Sequence, residues 1–333
     1  MRSLKRLRMS FPLFLSLVFM GLTAALILSG CAGPQAHADM KTQGMKEKMK
    51  ELQQLAPARG YLDAHKGVQK PLSVLGGPIT VQITQTKGGV FVALPDNRRI
   101  DKNVFGTPAL PRGYGGTPGI NGLPPMLRAT EGNGYTVMKK KSPFGDKHIV
   151  MADGNLVLKG IDATATDAAR SDDSVQMRAS WKDKAGNTYM VKCCKMLATH
   201  GVEFPTFGGV VTNHILHGFT RVGTGLMPTE FTYFAFWGIG EVSKNGKVLD
   251  KPRLIHGMLT EYVRTAGYKL AFDDEVTPTR VHFHLMVPPM QPLMKEGRFV
   301  HNAVKTGFAL PNGMELPFWH VMFENLEIQA ERG

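Results

Sequence analysis

Short runs of alternating apolar and polar residues, broken by glycine-bearing turns, dominate the chain beyond residue 71. Ile79, Val81 and Ile83 alternate with Thr80, Gln82 and Thr84. Val175, Met177, Ala179 and Trp181 alternate with Gln176, Arg178 and Ser180. A period of two places one set of side chains on each face of a strand. The turn signals are Lys87-Gly88-Gly89, Asp153-Gly154, Asp183 to Asn187, Asn245-Gly246 and Asn312-Gly313. Asn-Gly and Asp-Gly supply the positive φ angles that tight hairpins require. No long helical pattern interrupts these runs. The expectation is a mainly β fold, an antiparallel sandwich or barrel-like sheet.

The Gly/Pro-rich stretch from Phe105 to Pro125 cannot sustain a ladder and reads as a long loop. Lys139-Lys140-Lys141 follows it and reads as a solvated surface. The β-rich region spans 73–333, as one domain or as two packed sandwiches with a boundary near 145–152. Residues 31–72 read as a tether. Within it Met45, Met49 and Leu52 fall at helical spacing among charged residues, giving a short amphipathic helix.

The N-terminus has a different character. Arg2, Lys5, Arg6 and Arg8 precede an uncharged, almost wholly apolar run from Met9 to Leu28. That is the layout of an export signal over residues 1–30. Leu28-Ser29-Gly30-Cys31 closes it and resembles the lipobox of bacterial lipoprotein signals. The resemblance implies cleavage before Cys31, diacylglycerol on its sulfur and acylation of the new amine. Ala32 stands where an inner-membrane retention signal places Asp, which by the same resemblance implies the outer membrane. The signal holds four of the chain's 40 Lys and Arg and none of its 27 Asp and Glu, so the net charge falls from +13 to +9 on its removal. In that compartment a basic surface meets anionic lipid or lipopolysaccharide rather than nucleic acid. A protein partner in the envelope is a further expectation.

No G-x-S-x-G, H-E-x-x-H, P-loop or dinucleotide fingerprint occurs, so the usual routes to an enzymatic assignment are closed. The chemistry-bearing pattern is instead a repeated spacing of His and Met. His282, His284 and Met286 share one face of their run, with Val281, Phe283, Leu285 and Val287 on the other. His256 and Met258 repeat the spacing, as do His320 and Met322. If neighbouring strands align these faces, imidazole and thioether converge. That donor set suits copper, and imidazole alone also suits zinc. Expected ligands are His256, His282, His284, Met286 and His320. Core methionine and backbone-bonded histidine would explain the same spacing without a metal, and a cleft for a small organic ligand would use it equally.

A second cluster holds Cys193, Cys194, Met196 and His200, followed by His214 and His217. Once Cys31 carries lipid, Cys193 and Cys194 are the only thiols. They read as a vicinal disulfide, a soft-metal site with Met196 and His200, or two inert buried thiols. His214-x-x-His217 puts both rings on one face only in a helical turn. Asp172-Asp173 and Asp273-Asp274-Glu275 read as solvated turns. In Phe231 to Trp237, alternation places Phe231, Tyr233 and Trp237 opposite Phe234 and Phe236, with both faces apolar as in a central strand. Three functions fit these features: a lipid-anchored envelope protein binding a metal or small molecule, a non-catalytic interaction lipoprotein, and a metal-dependent periplasmic enzyme.

Overall fold

A computed structural model describes residues 78–93, 99–100, 102, 106–111, 129–136, 149–163, 172–197, 207–220, 222, 227–288, 290–293, 298–302, 304 and 319–333. All belong to one unit, Gly33–Gly333. Cys31, the tether, Lys139 to Lys141, His200, the Asn312-Gly313 turn and most of the Phe105 to Pro125 loop lie outside the described residues. Of that loop, Gly106 and Pro111 form an isolated antiparallel bridge.

The chain is mainly β, as its alternation predicts. Its strands are β1 (Ile79–Gln85), β2 (Gly89–Ala93), β3 (Arg99–Ile100), β4 (Ala129–Glu131), β5 (Gly134–Thr136), β6 (Ile149–Asp162), β7 (Ser174–Lys182), β8 (Thr188–Met196), β9 (Val210–Leu216), β10 (Glu230–Lys244), β11 (Lys247–Tyr262), β12 (Thr277–Val287), β13 (Met290–Leu293), β14 (Arg298–His301), β15 (Trp319–Phe323) and β16 (Leu326–Arg332). One antiparallel sheet runs β16-β1-β6-β2-β15-β12-β11-β10-β8-β7, with β9 also on β10. Its path doubles back, because β6 pairs with β7 as well as with β1 and β2. Strands from both sides of 145–152 therefore share a single barrel-like sheet.

Alternate residues from these strands form one cluster that includes Val81, Val90, Leu156, Met177, Trp181, Phe234, Phe236, Phe283, Leu285, Trp319 and Val321. Each large apolar side chain removed from water contributes about 1.5–3 kcal/mol. Gly257 makes room within this cluster, since a Cβ there would lie 2.4 Å from the Phe236 ring and 2.7 Å from the Phe283 ring. A smaller cluster covers the opposite face of the sheet, built from Leu197, Phe207, Val211, Leu216, Ala235, Trp237, Leu254 and Met258. The same sheet is thus buried on both sides around β10 and β11.

Turn chemistry explains part of this topology. Asn245 (φ 50°) and Gly246 (φ 79°) join β10 to β11 as a two-residue hairpin between the paired Lys244 and Lys247. Asp183 accepts hydrogen bonds from the backbone N–H of Ala185 and Asn187, closing the β7–β8 turn. Two signals behave differently. Lys87-Gly88-Gly89 turns the chain, but β1 and β2 both lie against β6 instead of pairing as a hairpin. Asp153-Gly154 is no turn; both residues lie inside β6. Gly154 is there for space, as a Cβ would come within 2.0 Å of Val90 Cγ2.

The aromatic run of β10 also departs from simple alternation. A register shift against β11 falls between Thr232 and Phe234. Phe231, Tyr233, Phe234 and Phe236 consequently all join the main core, while Trp237 joins the opposite cluster. Nor are the acidic turns simply solvated. Asp173 is 6% exposed and accepts from the N–H groups of Ala163 and Val210. Asp273, also 6% exposed, accepts from Thr229 N–H. Each carboxylate ties a loop to a strand that is remote in sequence.

Candidate functional site

Strand register brings the three His/Met segments onto one face. His256 lies opposite Met286, Met258 opposite His284, and Thr260 opposite His282. Across the other edge of β12, Met286 lies opposite His320 and His284 opposite Met322. Histidine and methionine thus alternate between strands as well as along them. Directly opposed Cβ atoms in an antiparallel pair are about 4.5–5.5 Å apart, so His284 stands in register between Met258 and Met322. All three are buried.

Three of the expected ligands meet. His284 Nδ1 is 2.9 Å from His320 Nε2, and His284 Nε2 is 2.6 Å from His282 Nε2. Arg264 Nη2 approaches His320 Nδ1 at 3.4 Å, and Val263 N–H donates to His282 Nε2 at 3.4 Å. These end groups fix the direction of the chain. Guanidinium only donates, so His320 accepts at Nδ1 and carries its proton on Nε2. His320 then donates to His284 Nδ1, and His284 Nε2–H donates to His282 Nε2, where Val263 N–H also points. Every ring in this assignment is neutral. Burial holds the His282 and His284 pKa values well below the usual histidine range, with cationic Arg264 adding to the effect at both.

His256 and Met286 share the face without joining the contact. His256 stacks on Trp237 at 3.8 Å with the planes 8° apart, and its Nδ1–H donates to the Phe236 carbonyl at 2.7 Å. Burial lowers its pKa to about 3. Met286 is partly exposed. Among the described residues, no three His, Cys, Asp or Glu side chains surround a common point as a preformed metal shell. His284 turns its two nitrogens in opposite directions, so the triplet is a chain of contacts.

Residues absent from the His/Met pattern complete this layer. His217 follows the end of β9 with φ 63°. Its Nε2 is 3.7 Å from Glu230 Oε1, and the two side chains are 9% and 0% exposed. Glu261 is fully buried and accepts from Phe231 N–H. Arg264 belongs to a segment that folds back over the face, where Tyr268 stacks on Phe91 at 4.4 Å. Burial of so many ionisable groups costs several kcal/mol per uncompensated charge, and such clusters mark functional sites. Nothing in local periodicity singles out Glu230 or Arg264; only the register between distant strands does. His217 carried a signal in its spacing from His214, but it works from a strand end and not from a helical turn.

The cysteine cluster takes a separate course. Cys193 and Cys194 are joined as a vicinal disulfide. Gly240 pairs with Cys193 and Ile239 with Lys195, which leaves Cys194 as the extra residue of a bulge. Gly238 makes room, since a Cβ there would lie 2.8 Å from Cys194 Sγ. Both cysteines and Met196 pack against the main core, while the His/Met row packs under Trp237 on the other side. In the disulfide form neither sulfur is a thiolate ligand.

Comparison with protein-family models, with curated proteins and with solved structures returned no match for this chain.

Proposed function

We propose that this chain is a lipid-anchored protein of the bacterial envelope that binds copper, as Cu(I), on the His/Met face of β11, β12 and β15. The observation that carries the reading is the buried contact of His282, His284 and His320, with Met258 and Met322 facing His284 from both neighbouring strands. Neutral imidazoles and thioethers are soft to borderline donors, and thioether selects Cu(I) over divalent ions. A monovalent ion also suits a site with buried Arg264 at one end, because burying a dication beside a guanidinium costs more.

Loading replaces imidazole–imidazole hydrogen bonds by metal bonds. Two nitrogens at about 2.0–2.1 Å from a tetrahedral ion stand about 3.3 Å apart, so the 2.6 Å contact of His282 and His284 must open by under 1 Å. A turn of the His284 ring within its pocket supplies that movement. Cu(I) binding is testable with the full-length chain in detergent and a competing chromogenic Cu(I) chelator. One tightly held equivalent is expected. His284→Ala and His320→Ala should lose it, and Met258→Leu with Met322→Leu should weaken Cu(I) more than Zn(II). A wild-type chain that yields all its copper to the chelator, or variants that bind unchanged, would overturn the reading.

The anchor belongs to the same proposal. The lipobox-like Leu28-Ser29-Gly30-Cys31 supports a lipid on Cys31, the first residue of the tether. Each buried methylene contributes about 0.8 kcal/mol, so a multiply acylated cysteine holds firmly where a single chain is marginal. Among the described residues, no helix is long and apolar enough to cross a membrane.

A further inference from the structure

Adjacent residues of a regular strand send their side chains to opposite faces, so neighbouring cysteines do not meet there. β8 departs from that rule by its bulge, in which two residues oppose one of the neighbouring strand and Cys194 is the extra residue. β10 meets the bulge with a glycine on either side of Ile239. A Cβ at Gly238 would lie 2.6 Å from Cys194 Cβ, and one at Gly240 would lie 2.1 Å from the Lys192 carbonyl oxygen and 3.1 Å from Cys193 Cα. Neither glycine has a positive φ, so each serves close approach and not a turn. The disulfide is thereby seated at the edge of the main core, with both cysteines partly exposed. A bridge between adjacent residues closes almost no loop, so it restrains the unfolded chain little and makes a weak staple. Glycine inside a strand weakens it further. Stability therefore does not account for the bulge and its two glycines.

We infer that Cys193–Cys194 is a redox-active disulfide that accepts two electrons from a dithiol by thiol–disulfide exchange. A thiolate of the donor attacks one sulfur of the pair and bonds to it as the Cys193–Cys194 bond breaks. The other cysteine leaves as a thiolate and takes up a proton. The donor's second thiolate then attacks the donor sulfur of this mixed disulfide and releases the second cysteine, which is protonated in turn. The donor departs as a disulfide, and its two thiols have supplied both protons. Partial exposure gives the attacking thiolate its access, and exposed disulfides are the labile and catalytic ones. The donor is a dithiol because the first cysteine released stays beside the mixed disulfide and can close the pair again. Only a second thiol already held in place competes with that reversal. The pair packs against the main core and the His/Met row on the opposite face, so the inference stands apart from the copper reading.

The test uses the metal-free full-length chain in detergent, carrying Cys31→Ser so that only the pair is counted. Dithiothreitol is added with and without urea, the exchange is stopped with acid, and thiols are counted by mass after alkylation. Two thiols should appear in the folded chain, and urea should raise the rate by no more than about tenfold, because access needs at most a local opening. Were the sulfurs reached only through global unfolding, the native rate would fall behind by the unfolding equilibrium, about 10³-fold or more. Reduction should lower the melting temperature by a few degrees at most, as a weak staple allows. Cys193→Ser and Cys194→Ser each leave one thiol, which should alkylate in the folded chain. Glutathione, a monothiol, should reduce the pair more slowly at the same thiol concentration. Thiols that appear or alkylate only in urea would overturn the inference. So would a large fall in melting temperature on reduction, which would make the bridge a structural staple. Equal rates with glutathione would overturn the dithiol as donor.

Discussion

His284 touches a second imidazole at each of its nitrogens, and Arg264 sets the direction in which those contacts are donated. Arg264 holds no metal in this account; it fixes the tautomer of His320. Loss of such an outer partner typically costs about 10–100-fold in metal affinity. Arg264→Met should therefore weaken Cu(I) binding by about that factor with one equivalent still bound, as a chelator competition would measure. His256 gives a pH prediction for the metal-free chain. Its pKa is about 3 when folded, against an ordinary 6.5 when unfolded. Between those values the unfolded chain takes up a proton that the folded chain refuses. Stability is thus complete above about pH 6.5 and falls as pH drops toward 3, by about 1.4 kcal/mol per unit for this ring alone. His282 and His284, lowered in the same direction, add to the slope. Urea unfolding midpoints should fall between pH 7 and 4, and His256→Gln should flatten that profile.

At the scale of elements, β12 was the most legible part of the sequence. Its strict alternation separates Phe283 and Leu285 from His282 and His284, and the strand keeps that separation along its length. The contact with His320 was legible only as a condition, because pairing between β12 and β15 joins residues 36 apart. Glu230 and Arg264 were not legible. They enter through strand ends and register, and a single chain does not display its own pairing. Where alternation misled, a bulge was responsible: the shift after Thr232 turns Tyr233 and Phe234 into the same core. Gly154 misled for another reason, as its absent side chain serves packing and not a turn. Gly154→Ala should lower stability by about 1–3 kcal/mol, the usual penalty for overpacking, because the new Cβ would meet the fully buried Val90 side chain and, at 3.0 Å, the Ser180 carbonyl of β7. Chemical denaturation of the variant checks this, and an unchanged midpoint would show that Val90 does give way.

At the scale of the whole molecule, the described strands form one barrel-like sheet that is buried on both faces around β10 and β11. The fold class was readable from alternation and turns, while the covering layer over the His/Met face was not, since it is made of irregular segments such as 263–276. The proposed anchor makes a prediction of its own. Cys31→Ser should abolish lipid attachment, seen as loss of the acyl mass on the N-terminal peptide, and should release the chain from the membrane fraction. Copper binding by the released chain should be unchanged, because the anchor and the site share no residue. The claim on which the rest depends is the mixed His/Met ligation of Cu(I). X-ray absorption at the copper edge, on the full-length chain carrying one equivalent, measures that ligation directly. The account predicts a shell of imidazole nitrogen with thioether sulfur, the sulfur disappearing in the Met258→Leu, Met322→Leu variant and the imidazole signature falling in His284→Ala. A copper shell unaltered by those substitutions would contradict it.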